Sequence, residues 1–198
     1  MEKIAAKIVE FIGQNLEISD EEMLDVYRYG VEITLSSLIN FFMIILCSLL
    51  LGDPTAGIVF MVCFIFLRSY TGGYHAEKYW RCNVVFVCTF FVTFMAAELF
   101  GYFRMNIFLS AVILAAGLIP VIKFAPVKNR HKILSENKIR KSKIISVILY
   151  TVLSVLSLLM VSLDIRYGYL ILTVLLDISA MILTEVFMQK KGYHKTEE

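Results

Sequence analysis

Six apolar runs separated by short polar stretches set the organisation of this chain. The first is Val31–Leu51, ended by Gly52-Asp53-Pro54. The second, Thr55–Leu67, reaches only as far as Arg68. The others are Val84–Phe100, Ile107–Ile122, Ile144–Leu163 and Tyr169–Phe187. A membrane-spanning helix needs about 20 residues. The second run is short of that, so it either continues through Arg68 to Tyr70 or sits where the bilayer is thinned. Ahead of the runs, residues 2–16 put Ile4, Ile8, Phe11 and Ile12 on one helical face. Glu2, Lys3, Lys7 and Glu10 fall mostly elsewhere, which suits an interfacial amphipathic helix or a packing helix. Ser19 with Glu22 has capping-box spacing, so a helix is expected to start near Asp20. The predicted fold is all-α: one polytopic membrane domain over residues 1–198, with six transmembrane helices plus an N-terminal amphipathic helix.

Composition agrees with this pattern. Of 198 residues 59% are hydrophobic and 18% charged. The mean hydropathy is +0.75. A soluble domain of this size would expose too much apolar surface. The start, Met-Glu-Lys-Ile, lacks a signal peptide's apolar core. Cys47, Cys63 and Cys88 lie inside apolar runs and read as small buried hydrophobes rather than a disulfide framework.

Charge adds orientation. Residues 1–30 hold 3 Lys/Arg, residues 68–83 hold 3, residues 123–143 hold 8, and the tail holds 3. The remaining 2, Arg104 and Arg166, fall in the alternate loops. This asymmetry predicts both termini, the 68–83 stretch and the basic stretch on the cytoplasmic side.

The candidate chemistry is concentrated between Arg68 and Cys82, a polar island between two apolar runs. A histidine can activate a cysteine by taking the thiol proton, so His75 and Cys82 form a candidate dyad. An interfacial histidine beside a packed cysteine is the plainer alternative. On one continuous helix the two would sit roughly 10 Å apart along the axis, so a dyad needs a break or bend. Gly72 and Gly73 supply a flexible break, and their backbone N–H groups are candidates for holding an oxyanion. Arg68 is a candidate ligand for a substrate carboxylate or oxyanion, or else a charge anchor. Lys78 and Arg81 read as anchors, and Glu77 and Asn83 as candidates to orient His75. No metal, cofactor or nucleic acid is expected: zinc wants three or four close Cys/His ligands, and His75 and Cys82 have no local partners. Inside the spans, Asn40, Glu98, Asp177 and Glu185 raise functional questions by their position alone. Helix–helix hydrogen bonding is the favoured role for Asp177. The basic stretch is expected to attract lipid headgroups or an acidic substrate segment.

These residues resemble a known family. Arg68, Gly72-Gly73-Tyr74-His75-Ala76 and Cys82 are similar to the signature of the accessory gene regulator B family. Ala125-Pro126-Val127-Lys128-Asn129-Arg130 resembles its second, weaker motif. A second proline usual shortly after Asn129 is absent. The resemblance covers nearly the whole chain. It implies an integral-membrane cysteine endopeptidase of quorum sensing, which cuts the C-terminal part from a precursor peptide and cyclises the remainder to a thiolactone or lactone. On this basis Cys82 is the nucleophile and His75 its base, with Arg68, Gly72 and Gly73 supporting. The implied partners are membrane lipid and a precursor with an amphipathic helix and an acidic tail. Lys128, Arg130, Lys138, Arg140 and Lys141 would bind that tail, and a homodimer is compatible. Two rival readings come from other classes: a six-span transporter with a re-entrant 68–82 loop, and a non-catalytic membrane adaptor.

The charge asymmetry predicts a labelling pattern. In a background depleted of cysteine, cysteines introduced near Asp53, Asn106 and Arg166 should react with an impermeant reagent in intact cells. One introduced at Ser135 should not, and labelling there from outside would overturn the orientation.

Overall fold

The computed structural model describes residues 6–11, 20–72, 79–127 and 136–194. Among them lie seven helices and no strand. The first, α1, covers residues 6–11. The rest are α2 (Glu21–Leu50), α3 (Pro54–Thr71), α4 (Tyr79–Tyr102), α5 (Ile107–Phe124), α6 (Glu136–Ser162) and α7 (Tyr167–His194). Helices α2 to α7 each contain a stretch long and apolar enough to cross a membrane. This is the architecture of a multi-pass membrane protein.

Several helix boundaries differ from the apolar runs for identifiable reasons. The helix starting after Asp20 and the first span are one 30-residue helix, α2, because no proline separates them and the single Gly30 is tolerated within a long helix. Helix α3 begins at an Asp-Pro pair. Asp53 is the N-cap and accepts a hydrogen bond from Ala56 N, while Pro54 occupies the first helical turn. The helix then runs on through Arg68 to Thr71, the first of the two arrangements that its short apolar run left open. Its 18 residues extend about 27 Å. Helix α6 starts at Glu136, well before its apolar run. The segment 136–143 is rich in Lys and Arg, which are good helix formers. The described part of α1 is helical, but it buries Val9 and exposes Phe11, so the expected apolar stripe is not reproduced there. Its remaining positions lie outside the described residues.

Helix α7 is the axis of the bundle. Every residue from Tyr169 to Leu175 is buried, as are Ile178 and Ile182. A helix that is apolar and buried all round belongs at a core. Helices α3, α4, α5 and α6 pack against it, while α2 packs outside on α3 and α4. Large side chains such as Phe66, Phe108, Val152 and Phe187 point outward, as a lipid-facing surface requires.

Lipid provides little hydrophobic drive between helices, so close packing and interhelical hydrogen bonds must hold the bundle. Ser179 Oγ on α7 donates to Gly117 O on α5 at 2.7 Å. Tyr150 OH on α6 donates to Leu114 O at 3.3 Å. Ser157 Oγ donates to Gly168 O at 2.8 Å, fastening α6 to the start of α7. Thr93 on α4 donates to the Asp177 carboxylate on α7, so Asp177 serves the helix–helix role expected of it. At the opposite end from Arg68, Arg166 joins Glu98 at 2.6 Å and Asp53 at 3.4 Å. Tyr167 OH adds a 3.1 Å bond to Asp53 Oδ1. This cluster ties together the starts of α3 and α7 and the end of α4. Burial of Cys47 and Cys63 matches expectation, but Cys88 is exposed on the outer side of α4, and all four cysteines are free.

Gly117 generates a stability prediction. A Cβ there would collide with the Tyr150 hydroxyl and lie 3.2 Å from Ser179 Oγ. Gly117→Val should therefore destabilise the detergent-solubilised protein by about 1–3 kcal/mol, the usual cost of overpacking. Gly30 has nothing within 4 Å of such a Cβ. Gly30→Ala should be neutral or stabilising by up to about 1 kcal/mol. Thermal unfolding of the two variants beside the parent checks both.

Candidate functional site

The site is assembled by an aromatic contact. Phe64 on α3 meets Phe86 on α4 edge to face, with ring centroids 5.2 Å apart. Phe60 stacks on Phe64 at 5.2 Å and also touches Phe86 and Phe90. Such pairs add about 0.5–1.5 kcal/mol each beyond the area they bury. Arg68 lies one turn after Phe64, and Cys82 lies one turn before Phe86. Residues four apart share a helix face. The phenylalanine contact therefore brings Arg68 and Cys82 to facing surfaces at the same end of the bundle.

Arg68 is half-buried. Its guanidinium stands 5.9 Å from the centroid of the Phe64 ring. Nη1 lies 3.5 Å from Gly72 O and 3.5 Å from Met181 Sδ on α7. On α7, Glu185 lies one turn after Met181. Glu185 in turn accepts a 3.1 Å hydrogen bond from Gln189 Nε2, one turn further along α7.

Cys82 is half-buried and sits in the first turn of α4. Beside it, Asn83 Oδ1 accepts a 2.6 Å hydrogen bond from Ser36 Oγ on α2. That bond pins the start of α4 against α2 and occupies the Asn83 carbonyl.

Gly72 ends α3. Its φ of +69° is a left-handed conformation that glycine adopts without strain, and its N–H donates to Arg68 O. A second constraint also demands glycine: a Cβ there would lie 2.9 Å from Val127 O. Val127 N donates to Thr71 O at 3.0 Å. The chain leaving α5 is thus strapped by its backbone to the end of α3. The two motif stretches, distant in sequence, meet here.

Of the candidates from sequence, the structure brings together Arg68, Gly72 and Cys82. Gly73, His75, Glu77 and Lys78 lie outside the described residues, as do Lys128 and Arg130 and the Arg81 side chain. Lys138, Arg140 and Lys141 are exposed on the opening turns of α6, not in a loop. Glu98 and Asp177 are engaged by Arg166 and Thr93. Among the described residues no group of three His, Cys, Asp or Glu is placed to hold a metal ion. Two contributions were not read from sequence. The Asp53–Arg166 cluster was signalled only by an aspartate before a proline, the pattern of an N-cap. The Val127 strap carries no side-chain signal, since it acts through backbone atoms.

Comparison with known proteins finds relatives along most of the chain. The family model described as Accessory gene regulator B matches residues 5–188. An AgrB-like protein 1 of Clostridium perfringens (strain 13 / Type A) is 25% identical over 182 residues, covering 89% of this chain and 95% of that protein. An AgrB-like protein of C. perfringens strain SM101 is 26% identical over 184 residues, covering 90% and 86%. Protein FsrB of Enterococcus faecalis is 31% identical over 81 residues, 39% of this chain and 34% of that protein. No solved structure matches.

The geometry predicts a charge preference at Cys82. With the other three cysteines replaced, the ratio of alkylation rates by iodoacetate and iodoacetamide reports the local field. Arg68→Gln should lower that ratio roughly threefold or more at low salt, since a cation close by attracts the anionic reagent. Arg140→Gln, on the exposed surface of α6, should leave it unchanged.

Proposed function

Because the chain belongs to the accessory gene regulator B family, we propose that it is an integral-membrane cysteine endopeptidase of quorum-sensing peptide processing. It removes the C-terminal part of a precursor peptide and cyclises the remainder. The observation that carries this reading is the meeting of Arg68, Cys82 and the Gly72–Val127 strap at one end of the bundle.

The chemistry proceeds in two exchanges. His75 takes the Cys82 proton, and the thiolate attacks the scissile carbonyl carbon. The C–N bond breaks, His75 returns the proton to the departing amine, and a thioester remains on Cys82. Arg68 faces Cys82 and is suited to the negative charge that develops on the carbonyl oxygen. A cysteine thiol of the bound peptide then attacks the thioester. The ring closes as a thiolactone and Cys82 leaves as a thiol. A serine hydroxyl in that place gives a lactone. The second step exchanges one thioester for another and is nearly balanced in energy. Its competitor is hydrolysis, which a site at the lipid boundary limits.

The precursor lies on the cytoplasmic leaflet as an amphipathic helix. Its acidic tail meets the basic stretch that includes Lys128, Arg130, Lys138, Arg140 and Lys141. Both termini and the site face the cytoplasm of a bacterial cell. The transporter reading needs Glu98 and Asp177 available to a pathway, and their pairing with Arg166 and Thr93 weighs against it.

The test is reconstitution into vesicles with a short precursor encoded beside this gene. Wild type should release the tail and a cyclic product. Cys82→Ala and His75→Ala should each reduce release by about 10³-fold or more. Full turnover by either variant would overturn the assignment. A vesicle flux that survives Cys82→Ser, with no cleavage, would favour transport.

A further inference from the structure

The contact between α4 and α7 holds an ionisable group that the peptidase chemistry does not use. Asp177 stands near the middle of the 23-residue apolar stretch Tyr167–Gln189, so it lies deep in the membrane. It is half-buried, and its hydrogen-bond partner is the Thr93 hydroxyl. Thr93 is fully buried, so water does not reach it. The same hydroxyl oxygen lies 2.7 Å from Thr89 O, one turn back on α4.

The protons at this contact can be counted. A hydroxyl has one hydrogen to donate, and a carbonyl or an ionised carboxylate has none. With Asp177 ionised, the single Thr93 hydrogen would have to serve both Thr89 O and the carboxylate. Among the described residues no neighbour supplies a second. Thr173 Oγ1 is turned to carbonyls, those of Tyr169, Leu170 and Thr93. The titratable groups of the spans around Asp177 are Cys63 and Arg68 on α3, Cys82, Cys88 and Glu98 on α4, Tyr150 on α6 and Glu185 on α7 itself. On α5 there is Lys123, in the last turn. None of these is hydrogen-bonded or ion-paired to Asp177. Arg68 reaches Met181, one turn on, and Glu98 is taken by Arg166. An ionised carboxylate at this depth, with no cation and half a hydrogen bond, is costly. One proton added to Asp177 removes both the charge and the shortfall.

We propose that the Asp177–Thr93 pair is a proton-binding site within the membrane, occupied at neutral pH. When the proton is bound the hydrogen bond reverses. The Asp177 O–H donates to Thr93 Oγ1, and the Thr93 hydrogen goes wholly to Thr89 O. The proton comes from water, and no bond other than O–H is made or broken. The occupied site fastens α4, whose first turn carries Cys82, to the central helix without placing a charge in lipid. The proposal does not depend on the peptidase reading.

Infrared spectroscopy of the full chain at pH 7, in a detergent without ester groups, tests it. An exposed aspartate is ionised at that pH. The spectrum of wild type minus that of Asp177→Asn should contain the carbonyl stretch of a protonated carboxylic acid. Thr93→Val removes the acceptor and should move that band to higher frequency. A carboxylate band in place of the acid band would overturn the proposal. So would an acid band unmoved in Thr93→Val, because the proton would then be bonded elsewhere. Should Asp177→Asn fail to fold, carbon-13 in the aspartate side-chain carboxyls of wild type serves instead. The acid band should then move to lower frequency, since the other buried aspartate, Asp53, is ion-paired with Arg166. An acid band that ignores the label would overturn the proposal.

Discussion

Burial on all sides of the first half of α7, Tyr169–Leu175, is the constraint from which the other positions follow. A helix surrounded by four others in lipid cannot rely on expelling water for its packing. It relies on shape and on hydroxyls that reach across to neighbouring backbones. Ser179 to Gly117, Ser157 to Gly168 and Thr93 to Asp177 each fix one neighbour at a stated height along α7. The Asp53–Arg166–Glu98 cluster fixes one end. With that end set, the other end is also determined, because rigid helices of known rise connect the two. Arg68 and Cys82 arrive at one end of the bundle as a consequence of contacts made far from them.

The final alignment at the site comes from the phenylalanines. Phe64 and Phe86 touch, and each carries a site residue one turn away. Side-chain packing of this kind is stiff, and a small shift in it would separate the groups. The Gly72–Val127 strap adds a second restraint, between the end of α3 and the chain leaving α5. It joins Val127 to Thr71 and Gly72 through backbone atoms.

Much of the fold was legible in the sequence, and the reasons are physical. Spanning helices announce themselves because lipid tolerates few polar residues, so apolar runs mark them. The charged residue Arg68 seemed to end the second run, yet the helix continues, because its long side chain can lie over Phe64 and Met181 while the backbone stays helical. The start of α6 was misplaced because polarity, not helix propensity, was taken as the boundary of its first turns. Of the site, Cys82, Arg68 and Gly72 were legible as a local motif. Their mutual placement was not. The spacing from 68 to 82 says nothing about a contact made through Phe64 and Phe86, and nothing in the chain links Thr71 to Val127. Glu185 was visible only as a polar residue in a span, and its bond from Gln189 one turn on required the helix to be seen.

The proposed chemistry requires a covalent bond between Cys82 and the peptide. It can be sought by giving the enzyme a precursor whose cyclising residue is replaced by alanine, with the released tail removed by dialysis. Thioester formation from an amide is uphill, so removal of the tail should raise the trapped fraction. Intact-mass measurement should then show the enzyme heavier by the N-terminal part of the precursor, at Cys82, and hydroxylamine should remove the added mass. Release of the tail at the full rate with Cys82 never modified would contradict the account.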